Sequence, residues 1–298
     1  MKRRKHDLGE WLMAVRPWSF PASAMPVVVT LAYLFACHET VNWLNGAWAL
    51  LNIVLFHAAS NIWSDYFDYK HKVDTEESFG VKILTSGQFA PKEIFWGALL
   101  LLGVACLAGA GLWLRTGMPL LYIGLGGLAC AVLYPYMKYR ALGDIVIFIS
   151  YALLPMLGTA YVAVGRIDWQ TFYLALPVGL ITVAILHANN TRDVQTDRRA
   201  GIHTLVMCLG RRASVGLYAF EILFPFLWIS YYAANGVLPA WSLLIWLALV
   251  PALQNTRSAV RSFKEGASVI VRLDEKTAQF QLLFSLLLAV AFVLAGYM

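Results

Sequence analysis

The sequence predicts an all-α integral membrane protein, a bundle of nine transmembrane helices. Three observations predict it. Of the 298 residues, 60% are hydrophobic and only 13% are charged, against about 25% charged in a soluble domain. Apolar runs of the length a helix needs to cross a bilayer recur along the chain. The basic residues also separate onto one side of those runs.

The runs fall near 20–37, 46–63, 94–114, 118–136, 145–164, 172–188, 213–234, 238–253 and 280–298. The eighth is short, and Pro251 is expected to end it. Pro26 and Pro155 lie inside spans, where neighbouring helices can satisfy the backbone groups that proline frees. Nine spans put the two termini on opposite sides. Of the 23 Lys and Arg, all but Arg115 and Arg166 fall in the N-terminal segment and in the second–third, fourth–fifth, sixth–seventh and eighth–ninth connections. The positive-inside rule places those segments, and the N-terminus, in the cytoplasm. One missed helix would scramble the asymmetry.

The opening M-K-R-R-K before an apolar run resembles a signal peptide, and Leu34-Phe35-Ala36-Cys37 hints at a lipoprotein cleavage site. Phe35 is bulky where a small residue is needed, and the run is long. An uncleaved first membrane helix is therefore expected. The polar stretches 64–93, 189–212 and 254–279 are too short for a soluble domain, so one membrane domain covers 1–298. Cys37, Cys106, Cys130 and Cys208 show no C-x-x-C spacing and read as packing residues, with no zinc or disulfide framework. No nucleic-acid motif is present, and topology and anionic headgroups account for the basic loops. The 14 Tyr, 16 Phe and 11 Trp fit interfacial belts or an apolar ligand channel, and composition leaves both open.

Two acidic segments stand out against this background. N-I-W-S-D-Y-F-D holds Asn61, Asp65 and Asp68, and N-N-T-R-D-V-Q-T-D holds Asn189, Asn190, Asp193 and Asp197. Each closes an apolar run, and both fall on the cytoplasmic side. A carboxylate within or beside a bilayer marks a functional site by default. Asn189, Asp193 and Asp197 are spaced i, i+4, i+8, one stripe of a helix. Asn61 and Asp65 share that spacing, Asp68 follows one turn on, and Asp74 comes later in the loop. Two stripes of hard oxygen ligands suit Mg²⁺, which takes carboxylates, waters and substrate phosphate oxygens.

Lys82, Lys138, Arg140, Arg192, Arg198 and Arg199 lie in the same loops. A diphosphate carries more charge than one Mg²⁺ neutralises, so such donors are needed. Arg192, inside the second motif, is the strongest candidate, and Arg199 the weakest. His57 and His187 precede the motifs and read as helix-packing or chemical residues alike. Glu221 sits inside the seventh run, paired within the bundle or facing a wet cavity.

With these residues in place, the chain resembles the UbiA superfamily of intramembrane prenyltransferases over nearly its whole length, and most the 1,4-dihydroxy-2-naphthoate polyprenyltransferase branch. R-P-W-S-F-P-A-S from Arg16, D-Y-F-D from Asp65 with the trailing Asp74, K-I-L-T-S-G from Lys82, K-Y-R-A-L-G-D from Lys138, L-G-T-A-Y-V from Leu157 and N-N-T-R-D-V-Q-T-D-R-R-A-G-I-H-T-L from Asn189 carry the likeness. Ser64 stands where Asn commonly precedes the first Asp. Tyr69 stands where the superfamily often has its second Asp, and Lys82 where Arg is common.

The resemblance implies Mg²⁺-dependent prenyl transfer from a polyprenyl diphosphate to dihydroxynaphthoate, with loss of its carboxylate, giving demethylmenaquinol for menaquinone biosynthesis. It implies Asp65, Asp68, Asp193 and Asp197 as catalytic metal ligands. Asn61, Lys82, Lys138, Arg140, Asn189, Arg192 and Arg198 would bind the diphosphate. It places the protein in a bacterial-type cytoplasmic membrane. The rivals are the same chemistry on 4-hydroxybenzoate, homogentisate or a lipid glycerol phosphate. A different class, an ion-coupled transporter, predicts acids on both sides of the midplane.

Overall fold

The computed structural model describes residues 6–75 and 79–298. The basic segment M-K-R-R-K lies outside the described residues. The chain is 81% helix, and no strand occurs among the described residues. An isolated parallel bridge joins Arg140 to His203.

A short helix α1 (Leu8–Val15) starts with a capping box, in which Asp7 and Glu10 exchange side-chain-to-backbone bonds. Arg16 ends it in the left-handed region, φ 57°, and Pro17 forces the turn. Helix α2 (Pro21–Ala36) follows, bent 52° from the preceding segment. Asn42 caps α3 (Trp43–Lys70) through its side chain. At 28 residues, α3 is about 42 Å long, outrunning the apolar stretch 46–63 and carrying the first acidic motif in its last three turns.

Pro91 opens α4 (Pro91–Thr116) at a first-turn position, where its missing N–H costs nothing. Gly117 separates it from α5 (Met118–Lys138). The next span is composite: α6 (Gly143–Phe148), a π-helical turn over Ile149–Leu153, and α7 (Leu154–Val164). The π turn precedes Pro155, which could not donate a regular bond. Helix α8 (Thr171–Arg199) runs through the whole second motif. Gly179 lets α8 sit against the composite span: a Cβ there would lie 2.6 Å from the Phe148 ring.

A short α9 (Leu205–Leu209) leads into α10 (Arg211–Ala234). The next span begins as a 3₁₀ stretch, Ala240–Ala248, and continues as α11 (Leu249–Glu265). Pro251 therefore does not end the eighth span as expected. It lies in the first turn of α11, where proline removes no intrahelical bond. A further 3₁₀ turn precedes α12 (Leu273–Gly296).

Among the described residues, seven helices are long and apolar enough to cross a membrane, or eight with the bent α1–α2 pair. The nine expected spans are thus met in part. Helix α3 is the one left out, because Asn45, Asn52, His57 and Asn61 interrupt its apolar run.

The main core lies between α2, α7, α8, α10 and α12. α12 packs along α2 and α8, and α3 packs along α4. α8 is the most enclosed helix, whereas α5 lies at the periphery. A second, smaller core holds the loop after α3 in place: Ile83, Leu84 and Phe89 pack with Ile62, Ile94 and Ala14.

Candidate active site

The last turns of α3, α5 and α8 meet the α1–α2 elbow around a cavity of about 560 Å³. Its size suits a small-molecule ligand. Asn61, Asp65 and Asp68 line it from α3, and Asn189, Asn190, Asp193 and Asp197 from α8. Two segments far apart in sequence therefore form one polar wall. The rest of the lining is mostly apolar, reaching as far as Leu112 of α4 and Leu120 of α5.

The first motif is fastened from outside its own helix. Arg16 pairs with the buried Asp65 and also donates to the Asn61 carbonyl at 3.0 Å. The Asn61 amide donates to the Val15 carbonyl at 2.8 Å and to Ser19 Oγ at 3.1 Å. Asp68 accepts from Lys138 Nζ at 2.9 Å, from the Tyr139 hydroxyl at 2.7 Å and from Ser64 at 3.2 Å. Ser64, where the superfamily commonly has Asn, thus serves its own motif. Tyr69 is partly exposed and does not line the cavity. Asp74 turns back into the cavity, its backbone bonded to the Asp68 carbonyl. Burial first, and the Asp68 carboxylate second, push the Asp74 carboxyl up to about 7.

The second motif is fastened from within. Arg192 forks onto both Asp193 oxygens at 2.8 Å, and reaches Asn189 Oδ1 at 2.5 Å and Asp274 of α12 at 2.7 Å. Its guanidinium also lies 4.9 Å from the centre of the Phe79 ring, a cation–π distance. Arg192 is nearly buried and does not itself line the cavity.

The structure therefore redistributes the expected cations. Lys138 lines the cavity, as expected. Lys82, Arg140 and Arg198 are exposed and do not line it. Arg140 is drawn aside by the clamp between the loops after α5 and α8, where Ala141 N–H donates to the His203 carbonyl at 2.7 Å. Arg16 takes a place that charge spacing alone does not give, because it precedes the first span by a turn. Its only signal is the R-P-W-S segment. Arg16 and Lys138 are the cationic side chains lining the cavity among the described residues.

The two histidines differ. His57 lines the cavity, with Ser23 Oγ at 2.8 Å from Nδ1 and the Tyr151 ring edge-on at 4.7 Å. His187 is in the core, between Glu221 at 3.1 Å and Ser214 at 2.8 Å. Glu221 is thus paired within the bundle. Tyr134 and Tyr151, also missed by sequence reasoning, add aromatic rings to the cavity.

Among the described residues, no three His, Cys, Asp or Glu side chains converge tightly enough to hold a metal by themselves. Mg²⁺ does not require such a cage, since it keeps waters and shares substrate phosphates. One oxygen of Asp65 is buried without a partner. With four further carboxylates on the same cavity, the donor set fits a hard cation.

Comparison with known proteins agrees with this architecture. Residues 24–269 match the UbiA prenyltransferase family. UbiA prenyltransferase domain-containing protein 1 of Homo sapiens is 30% identical over 297 residues, covering 98% of this chain and 85% of that protein. Its Drosophila melanogaster homolog is 32% identical over 293 residues, covering 95% and 79%. A UbiA homolog from Archaeoglobus fulgidus, solved bound to GPP and Mg²⁺, superposes with a TM-score of 0.65 at 13% identity, covering 94% of this chain and 99% of that one. A structure of digeranylgeranylglyceryl phosphate synthase superposes at 0.62 and 16% identity, covering 97% and 98%. The matched residues, the shared fold and the paired acidic motifs lead to one statement: this chain belongs to the UbiA prenyltransferase family and is a prenyltransferase.

Proposed function

We propose that the enzyme transfers a prenyl group from an allylic diphosphate to 1,4-dihydroxy-2-naphthoate, with Mg²⁺. The observation that carries this reading is the make-up of one cavity: both acidic motifs, Arg16 and Lys138 stand at one end, and the remainder is mostly apolar. The Archaeoglobus fulgidus homolog bound to GPP and Mg²⁺ supports both the donor class and the ion.

Asp65, Asp68, Asp193 and Asp197 would hold the ion, which supplies charge neutralisation to the departing diphosphate. Asn189 would donate its amide to the diphosphate, whereas the Asn61 amide, already committed to Val15 and Ser19, would hold the elbow beside it. Arg16 and Lys138 turn from the carboxylates to its oxygens as negative charge builds. The C–O bond breaks with its electron pair leaving on the diphosphate. The aromatic rings of Tyr134 and Tyr151 face the resulting allylic cation. The ring carbon of the acceptor attacks it, and loss of CO₂ returns an electron pair to the ring. The apolar walls keep water from the cation.

An acceptor bearing a phosphate would bring a second highly charged group to a cavity lined by two cations, which disfavours a lipid glycerol phosphate. Acids gathered at one end of a single cavity disfavour an ion-coupled transporter. The same reading makes α3 the ninth span, residues 1–298 one domain, and the acidic end of the cavity cytoplasmic in a cell membrane, with menaquinone biosynthesis as its role. Purified protein is incubated with Mg²⁺, geranylgeranyl diphosphate and each acceptor in turn. Prenylated naphthoquinol and CO₂ are expected. Product from 4-hydroxybenzoate alone would reject the acceptor, and no diphosphate release with any acceptor would reject the chemistry.

A further inference from the structure

The buried His57 meets a serine of the α1–α2 elbow at each of its ring nitrogens. Nδ1 is 2.8 Å from Ser23 Oγ, and Nε2 is 3.3 Å from Ser19 Oγ. A serine hydroxyl has one proton to donate. Ser19 donates its proton to the Arg16 carbonyl at 2.8 Å, and its oxygen accepts from the Asn61 amide at 3.1 Å. No proton of Ser19 is left for Nε2. Ser23 donates to the Phe20 carbonyl at 3.2 Å, so its oxygen is open to the N–H of Nδ1. A neutral imidazole carries one N–H and one lone pair, and the bond on one nitrogen sets the role of the other. By these bonds the neutral ring holds its proton on Nδ1. Nε2 is then an acceptor to which no group donates among the described residues. Ser19 and His57 line the cavity, whereas the fully buried Ser23 lies behind the wall. The bare nitrogen is thus the one on the cavity side.

The place of this nitrogen has a chemical meaning. His57 precedes Asp65 on α3 by about 12 Å of helix. That interval leaves room for a diphosphate and the first carbons of its chain. The Tyr151 ring stands edge-on to the imidazole at 4.7 Å, and the Phe20 ring lies 5.4 Å from it on the elbow side. The imidazole plane is therefore held from two sides. We propose that His57 Nε2 accepts the hydrogen bond of a ring hydroxyl on the aromatic acceptor, and that Ser23 acts as a positioning residue by fixing the tautomer. A buried acceptor left without a donor penalises a ring that lacks the hydroxyl, so the pair selects for a hydroxylated ring. The proposal rests on the prenyl-transfer reading above. It names what that reading leaves open, the residues that recognise the second substrate.

The test measures binding of 1,4-dihydroxy-2-naphthoate, 1-hydroxy-2-naphthoate and 4-hydroxy-2-naphthoate to the full chain in detergent. The chain is first loaded with Mg²⁺ and geranylgeranyl thiolodiphosphate, a donor analogue that resists ionisation. Wild type should bind the dihydroxy ring about ten-fold more tightly than the monohydroxy ring that lacks the recognised group. His57→Leu should remove that preference, and His57→Gln, which keeps an acceptor oxygen, should restore part of it. Ser23→Ala removes the partner of Nδ1 without touching the cavity. The ring proton then moves to Nε2 and bonds Ser19, so the preference should fall while the donor analogue binds as before. A residue that only ties the helices together would lower thermal stability when replaced and leave the preference alone. Equal binding of all three rings by wild type, or a preference unchanged in His57→Leu and Ser23→Ala, would therefore overturn the proposal. Failure of every naphthoate to bind a chain that holds the analogue would reject the acceptor and the proposal together. Failure of the analogue itself to bind would instead overturn the prenyl-transfer reading beneath them.

Discussion

On α3, the acidic pair is held by cations that come from elsewhere in the chain: Arg16 on Asp65, and Lys138 on Asp68. On α8, Asp193 is held by its own neighbour Arg192, and Arg192 is in turn anchored to Asp274. Both motifs present a helical stripe of carboxylates to one cavity. The difference lies in what must move when a diphosphate arrives. The first motif is guarded by two cations that line the cavity and can transfer to phosphate oxygens. The second is pre-set by a cation that does not line the cavity and is tied to Asp274. One motif is thus suited to respond to the donor, and the other to hold its place.

The largest effect expected is the loss of turnover in Asp65→Ala and in Asp193→Ala. Each removes a carboxylate that no neighbour replaces, and product formation should fall by at least about a hundred-fold. If either variant retained near-normal turnover, that motif would not belong to the reaction.

The two arginines sharpen the comparison. Arg16→Ala should weaken diphosphate binding and slow turnover by about a hundred-fold, and should also lower thermal stability, because it leaves the buried Asp65 carboxylate without its partner. Arg192→Ala should lower thermal stability. Asp274→Ala should reproduce part of that loss, and the double variant should lose less than the sum. Equal behaviour of Arg16→Ala and Arg192→Ala in both assays would erase the distinction between the motifs.

A third prediction concerns the support behind α8. His187, two residues before Asn189 on α8, forms a buried pair with Glu221. Glu221→Ala leaves the imidazole without its partner, and should cost about 3 kcal/mol of stability, read as a fall in unfolding midpoint. Turnover of the fraction that stays folded should be largely kept.

The smallest effect belongs to a pair outside the spans. The hydrogen bond from Arg166, then its charge, holds the Glu39 carboxyl below its ordinary value of 4.5. A lowered folded-state pKa gives stability that is present above the unfolded pKa and is lost as pH falls through the folded one. Thermal stability should therefore drop slightly as pH falls below about 4.5. Glu39→Gln should remove that part of the drop, and added salt should shrink it. Turnover at neutral pH should be unchanged.

The helices were legible because apolar length and period report directly on burial in lipid or core. α4 and α5 match their apolar runs to within a few residues. The ends of α3, α8 and α11 were not, because helices continue past the apolar run wherever a cavity or the loops can solvate polar side chains. Pro251 misled for a related reason: a 3₁₀ stretch before it turned an apparent stop into a first-turn residue. The four carboxylates were legible, since an acid at the end of an apolar run is costly unless a site uses its charge. The cations were not. Lys82, Arg140, Arg192 and Arg198 share loops with the acids, and spacing in sequence says nothing about which way a long side chain turns.

The sequence by itself determined the helical membrane class, the paired acidic stripes and the chemistry they suit, because hydropathy and helical period are local properties of the chain. Tertiary structure alone decided that Arg16 and Lys138 line the cavity while Arg192 pairs with Asp274. Those facts depend on contacts between helices separated by tens of residues, and side-chain direction is fixed only when such neighbours are in place.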